Sequence, residues 1–393
     1  MSGPLNNLKV LDFSTLLPGP YATMLMADMG AEVVRVESPT RLDLVRVLPP
    51  MVGKVSAAHG YLNRGKKSIA IDLKKPEGIE IVKQLVAEYD IVVEQFRPGV
   101  MARLGLGYEQ LKEINPNLIY CSITGYGQTG PYKDRAGHDI NYLALSGLSS
   151  YSGRAESGPV PLGFQVADVA GGSHHAVMGI LAAVIQRSAT GVGQHIDISM
   201  TDAAFSLNAM SGAGFLAGAP VPAPEKEYLN GGGFYDYYET KDGRFLSVGG
   251  LEPQFVQKLC LLLECPDRMN QALSQKPEDQ AAFKSMLAEK IKSEDMVYWT
   301  EFFAKEDVCI EPVLNLDESV KHPQMVERNM VIQVGGEGGI DQIGFPIKFS
   351  ETPCAVEEPG AILGAHTAAI LEGLKYSEEQ IESLQKQRVI KRI

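Results

Sequence analysis

The chain has 393 residues, 45% of them hydrophobic and 21% charged, which is enough apolar material for a large core and predicts two or three domains. Its formal net charge of −12 argues against a nucleic-acid binder, whose affinity rests on Lys and Arg at phosphates. Local basic clusters still leave room for a small anionic ligand.

Five cysteines, Cys121, Cys260, Cys265, Cys309 and Cys354, are scattered and form no CxxC pair. A zinc site and a disulfide framework are therefore not expected, and a cytoplasmic location fits. No secretory leader is evident between Met1 and Asn7, and no apolar run reaches the ~20 residues of a membrane span. The longest, His175 to Ile185, reads as a buried helix.

Leu8 to Phe13 reads as a strand, Tyr21 to Met29 as a helix stopped by Gly30, and Glu32 to Glu37 as a second strand. This is a β-α-β unit, the signature of a parallel sheet. It is Rossmann-like, but Leu17-Pro18-Gly19-Pro20 lacks the glycine fingerprint of a dinucleotide site, so a nicotinamide cofactor is not expected. Residues 40 to 60 carry a weak pattern and read as a surface excursion. Strands at 69–73, 91–96 and 118–123 then alternate with helices, which predicts an α/β domain with helices on both sheet faces.

Thr124-Gly125-Tyr126-Gly127-Gln128-Thr129-Gly130-Pro131 follows at the C-terminal end of a predicted parallel strand, where open α/β sheets bind ligands. Gly137-His138-Asp139-Ile140-Asn141-Tyr142 comes next. A helix-breaking glycine, an imidazole that titrates near neutrality and a carboxylate at a predicted helix start stand together there. Asp168 precedes a long apolar helix, about Ser173 to Arg187; an N-cap is its ordinary reading, and a cap carboxylate can also move protons. Strand 195–200 and a short helix complete the first region.

After Ser211 the character changes. Ala217 to Pro224 reads as a linker, Asp242-Gly243 as a hairpin turn, and helices dominate from Pro253 to about Lys305. The domains are therefore a large α/β domain over 1–215, a small α+β domain over 225–325 and a C-terminal segment, 326–393, with a helical, exposed tail. Glu252, just after the hairpin, reads by itself as a solvated turn residue. Arg35, Arg64, Lys66, Lys67, Arg97 and Arg103 cluster at strand ends, either as solvated charge or as a phosphate-binding rim.

Several stretches together resemble the CaiB/BaiF family of class III CoA-transferases: Leu16 to Tyr21, Ala27 to Val33, Asn63 to Ser68, Phe96-Arg97-Pro98-Gly99-Val100 and Thr124 to Pro131. Gly137 to Tyr142 and Gly249 to Phe255 resemble the α-methylacyl-CoA racemase branch, whereas the transferase branch usually carries a non-basic residue at the position of His138. The resemblance implies an interlocked homodimer whose large domain carries CoA and receives the C-terminal segment. It implies His138 and Asp168 as the acid/base pair of C2 inversion in a 2-methylacyl-CoA, with Glu252 orienting the histidine. It places Arg103, Gly137, Tyr142 and the Ile71-Asp72-Leu73-Lys74 segment at the coenzyme, and Arg35 or Lys66 at the phosphate contact that Ser38 cannot make. CoA is then part of the substrate, with no prosthetic group and no metal. The backbone N–H of Asp139, at a helix start, suits an enolate oxygen. The alternative is CoA transfer between carboxylic acids, with Asp139 forming the acyl and CoA adducts.

Overall fold

A computed structural model describes residues 3–336, 339–356 and 358–393. The chain divides into two compact units, the first made of 1–146, 163–206 and 323–393, the second of 147–162 and 207–322. This shifts the boundaries read from the sequence. The predicted loop around Ser149–Leu162 belongs with the second unit, where Arg154 pairs with Asp236 at 2.7 Å and Glu225 at 3.0 Å, and Asn230 donates to the Tyr151 carbonyl at 3.0 Å. Residues 207–215 also join the second unit rather than the first.

The first unit is built on a seven-stranded sheet. Its parallel strands are β1 (Lys9–Asp12), β2 (Glu32–Glu37), β3 (Lys66–Ile71), β4 (Ile91–Glu94), β5 (Ile119–Thr124) and β6 (His195–Ser199). The spatial order is β3-β2-β1-β4-β5-β6, with a short C-terminal strand, Ile390–Lys391, antiparallel on the outer edge of β3. Order reverses between β1 and β4, and the crevice at such a switch point, beyond the strands' C-terminal ends, is where this architecture takes ligands. The central strands are apolar on both faces: Val10, Leu11, Val34, Ile91, Val92 and Val93 have no exposure. Strands covered by helices on both sides require that continuous run.

Helix α1 (Pro18–Asp28) and helix α3 (Pro76–Glu88) each begin on a proline, whose missing N–H belongs to a position without an intrahelical acceptor. Between them the 40–60 segment is more ordered than its weak pattern suggests. It holds a two-stranded hairpin, Met51–Val52 with Val55–Ser56, and helix α2 (Ala57–Leu62). The tail is likewise not simply exposed. Ile381 of its helix and Ile390 of its strand enter the core beside Ile71. Helix α4 (Asp139–Leu145) follows β5. A wide π-helical turn, Ala167–Ser173, runs into helix α5 (His174–Thr190). The combined run Ala167–Thr190 has the length and apolarity of a membrane span. Its inner face, Ala176, Val177, Ile180 and Ala183, is buried, and Gly179 admits Ile196 of β6 to within 3.1 Å of where a Cβ would stand.

The second unit carries a three-stranded antiparallel sheet, Asp236–Glu239, Phe245–Val248 and Ile310–Pro312, with the middle segment central. Helices Pro253–Leu262, Pro277–Ile291 and Met296–Phe303 pack on a core containing Phe234, Phe283, Trp299 and Phe303. The Trp299 indole donates to the Ile291 carbonyl at 2.8 Å, so a large buried ring leaves no polar atom unmatched.

Candidate active site

A cavity of 340 Å³ opens beyond the C-terminal ends of β1, β4 and β5. Its walls are Thr15, Leu16 and Pro18 after β1, Gln95 to Pro98 after β4, and Gly125 and Tyr126 after β5. Ile123, Thr124, Lys133, Arg135 to His138, Tyr142, Asp168 and Met200 complete it.

The glycine-rich loop earns its composition at two points. Gly127 and Gly130 take φ values of 81° and 82°, a region costly for side chains. Gly125 and Gly137 meet the Tyr142 ring, so that a Cβ at either would stand 2.5 Å or 2.7 Å from it. Tyr142 is buried, donates to the Gly137 carbonyl at 2.5 Å and meets Tyr126 edge-on at 5.3 Å. Burial pushes its phenol pKa up. Gly137 and Tyr142 therefore shape the wall on which His138 stands.

His138 occupies the N-cap of α4 in extended geometry, and its N–H donates to the Asn141 side chain at 3.0 Å. The residue lines the cavity. Asp139 opens the helix, but its carboxylate is turned to the backbone N–H of Asp168, which donates to it at 3.0 Å, and it is not among the wall residues. Asp168 sits in the π-helical turn and lines the wall. Burial raises that carboxyl to about 6; the nearby Asp139 charge pushes the same way and His138 opposes it. The site thus brings an imidazole together with a carboxylate whose proton affinity its surroundings have raised.

The remaining expected residues are dispersed. Ile71 is fully buried and pairs with Ile390. The Asp72 carboxylate accepts from the Lys74 N–H at 3.0 Å, and the Leu73–Lys74 turn lies off β3, on the same edge of the sheet as the cavity but two strands away from β1. Arg103 is exposed in the last turn of helix Val100–Arg103 and does not line the cavity. Glu252 caps helix Pro253–Leu262 in the second unit. Arg35 is a correction: it is 1% exposed, ion-paired with Asp43 and, at 3.4 Å, with Glu37, so its charge serves the interior instead of meeting a phosphate. Lys66 is likewise inside, held by Asp12 at 3.1 Å and Thr23 at 2.7 Å.

Of the basic residues read at strand ends, Arg97 lines the cavity; sequence reasoning passes over Lys133 and Arg135 as wall residues, although both follow the glycine-rich loop, which is the signal that finds them. It also misses Glu94, the last residue of β4. That carboxyl is 5% exposed, accepts the Phe96 N–H at 2.7 Å beneath the cavity wall and is raised by burial to about 7. Among the described residues no group of three His, Cys, Asp or Glu side chains is placed to hold a metal ion.

A parallel sheet with its cavity at the switch point and a histidine and an aspartate on the wall is the arrangement of an α/β protein built to take a ligand there. The family model described as CoA-transferase family III matches residues 5–367, and the chain belongs to that family. It is 36% identical to human alpha-methylacyl-CoA racemase, over 98% of this chain and 97% of the relative. It is also 34% identical to human succinyl-CoA:glutarate CoA-transferase, over 97% and 88% of the two chains. The crystal structure of a CAIB/BAIF family protein from Brucella suis superposes with a TM-score of 0.82 at 32% identity, covering 95% of this chain and all of the other.

Proposed function

We propose that this enzyme inverts C2 of 2-methylacyl-CoA thioesters. The observation that carries the reading is the division of labour around α4. His138 and Asp168 both face the cavity, while the Asp139 carboxylate is engaged with the Asp168 N–H. A proton on carbon next to a thioester is weakly acidic, so a base takes it from one face and an acid returns a proton to the other. Asp168, at about 6, ionises close to working pH and serves as base in one direction and acid in the other, with His138 opposite. The donor offered to an enolate oxygen is the Asp139 N–H, next to the wall residue His138 at the first helical position of α4, where it has no acceptor within the helix. CoA enters and leaves as part of the substrate.

The second reading is CoA transfer, favoured by relatives of similar identity such as the human and Agrobacterium fabrum succinate–glutarate enzymes, each 34% identical. It requires the Asp139 carboxylate to leave the Asp168 N–H and attack the thioester. Incubation of a single epimer of a 2-methylacyl-CoA in deuterated water separates the two. Inversion with deuterium gained at C2 supports the racemase. Unchanged C2 together with an acyl or CoA mass added to Asp139 sinks it in favour of transfer. In the racemase, His138→Ala or Asp168→Asn lowers exchange by roughly 10²- to 10⁴-fold, and Asp139→Asn lowers it less.

The working form is an interlocked homodimer. Each unit leaves large apolar side chains in water: Met178 and Ile185 at 55% and 72% exposure in the first, Met210 and Leu216 at 75% and 79% in the second. Exposed apolar surface of this kind marks an interface. Light scattering should return twice the chain mass of 42.6 kDa; a monomer at working concentration refutes the dimer.

A further inference from the structure

We propose that Cys260 and Cys265 form a redox pair that closes reversibly to a disulfide across the C-terminal cap of helix Pro253–Leu262, with a low-molecular-weight disulfide such as oxidised glutathione as the oxidant. The site lies wholly in the second unit and does not rest on the reaction proposed for the cavity.

The pairing follows from how the helix ends. Leu263 is its C-cap, and Glu264, the next residue, takes a left-handed φ of 58°. The Glu264 N–H donates to the Leu261 carbonyl at 3.1 Å, and the Cys265 N–H reaches back to the Cys260 carbonyl at 2.8 Å. This is the Schellman ending. It places the side chain of the third residue from the helix end against that of the second residue beyond the cap, ordinarily as an apolar contact. Here both are cysteines, and the contact is a hydrogen bond that the Cys260 thiol donates to the Cys265 sulfur. Backbones joined and sulfurs touching are what a bridge needs if it is to form without backbone movement. Cys121 lies within β5, Cys354 in the first unit and Cys309 just before the strand Ile310–Pro312, so none of them shares this cap.

Both thiols belong to the core of the unit, at 1% and 8% exposure, and two small apolar side chains filling a cap are the ordinary reading of that burial. The cap itself is at the surface, however. Glu264, Pro266 and Asp267 are exposed, and a helix end opens more readily than the core beneath it. The two sulfurs are also unequal. Burial pushes the Cys260 thiol up to about 12. Burial raises Cys265 as well, but the hydrogen bond from Cys260, and then Lys290 and Arg268, oppose it. Cys265 therefore gives up its proton first, to solvent. Its thiolate attacks one sulfur of the oxidant, releasing a glutathione thiolate and leaving a mixed disulfide. Cys260, held against it, then loses its own proton and attacks the Cys265 sulfur, expelling the second glutathione. Two protein thiols lose two electrons and two protons, and one glutathione disulfide becomes two thiols. Excess glutathione runs the same steps backwards.

Thiol counting on the full-length protein tests this. The chain is incubated with oxidised glutathione under native conditions, its remaining thiols are alkylated with N-ethylmaleimide in urea, and unreduced tryptic peptides are weighed by mass spectrometry. Two of the five thiols should disappear, both from the peptide Leu259–Arg268, which should be lighter than its reduced form by two hydrogen atoms. Dithiothreitol should restore them. In Cys260→Ser the resolving thiol is gone, and glutathione should remain on Cys265. Closure should also depend on the fold. In glutathione redox buffers the equilibrium constant for the disulfide should be roughly tenfold or more higher in the folded protein than in the urea-unfolded chain, where no cap holds the sulfurs together. Full alkylation of both residues overturns the pair, as does a loss confined to Cys121, Cys309 or Cys354, or an adduct on Cys265 of the parent that never closes. A constant in the folded protein equal to or below that of the unfolded chain overturns the role of the cap. Should Cys260→Ser fail to fold, the parent peptide and the two constants decide without it.

Discussion

Two sets of three cations in the first unit differ only in where the fold sends them. Arg35, Arg64 and Lys66 go inside, at 1%, 0% and 5% exposure. Arg97, Lys133 and Arg135 go to the cavity wall. Each cation of the interior set has a carboxylate partner, although the buried Arg35 Nε has no hydrogen bond. Arg64 makes a two-pronged pair with Asp28 at 3.0 Å and 2.6 Å and donates to the Ile343 carbonyl at 2.6 Å. The Lys66 ammonium donates to Asp12, to Thr23, to the Pro20 carbonyl and to Asn63, all within 3.1 Å. Burial still pulls Lys66 down to about 8, against the pull of Asp12. A charge taken out of water needs its partners built into the fold, because each unpaired ion costs several kcal/mol. A charge on a cavity wall keeps its water until a ligand replaces it. The lesson is that cations close to ligand-binding strand ends divide by partner: those with carboxylates hold the fold, and those without are available to a ligand.

The largest way to break this distinction is by stability. Arg64→Met leaves the Asp28 carboxylate buried and alone, and should cost about 3–5 kcal/mol in urea unfolding. Arg97→Met removes a solvated charge and should stay within about 0.5 kcal/mol of the parent. Equal losses would show that the wall arginine is structural after all.

From sequence alone the two sets are hard to separate: Arg35, Arg64, Lys66 and Arg97 are all basic residues in or near strands, and Lys133 and Arg135 follow a glycine-rich loop. What separates them is register and long-range contact. Arg35 and Lys66 lie within β2 and β3, and their counter-charges Asp43 and Asp12 come from other segments. The sheet itself is legible, because strands covered on both faces must be apolar runs and helices between them begin on prolines such as Pro76. The C-terminal strand is not, because two residues carry no pattern and Ile390 finds Ile71 only in the folded chain. The pair Val331–Val334 and Ile340–Ile343 is missed for a similar reason: its strands are short and mostly exposed or half-exposed. At the site, the chemistry of His138, Asp139 and Asp168 is suggested by residue type. That the Asp139 carboxylate turns to a backbone N–H while its two neighbours face the cavity depends on the α4 cap and the π-helical turn, which no spacing rule reveals.

The same contrast can be sharpened with anions. Glu94 is interior and its carboxyl is raised by burial from 4.5 to about 7, so the folded state favours the protonated form. The stability this contributes is complete below the unfolded value and is lost as pH rises through about 7. Glu94→Gln keeps an oxygen for the Phe96 N–H and cannot ionise. It should be more stable than the parent by about 1–3 kcal/mol near pH 8, and equal to it near pH 4. Denaturation curves at the two pH values measure the difference, and a variant less stable at the higher pH would mean that the ionised carboxylate is what the fold requires.

Asp168 is the wall counterpart and the smaller effect. Burial and the neighbouring Asp139 raise it from 3.8 to about 6, so its contribution to stability is present at low pH and lost as pH rises through about 6. Because it is partly open to solvent, Asp168→Asn should gain only about 1 kcal/mol near pH 8, and nothing near pH 3. The same substitution should lower C2 exchange by roughly 10²- to 10⁴-fold, and the rate in the parent should fall below about pH 6 in the direction that uses Asp168 as base. Stability gained where activity is lost would mean that the fold holds this charge against its own preference, as a site does when chemistry needs the ionised form. No change in stability at either pH would instead make Asp168 a solvated wall residue, and proton transfer would have to be assigned to His138 and another group.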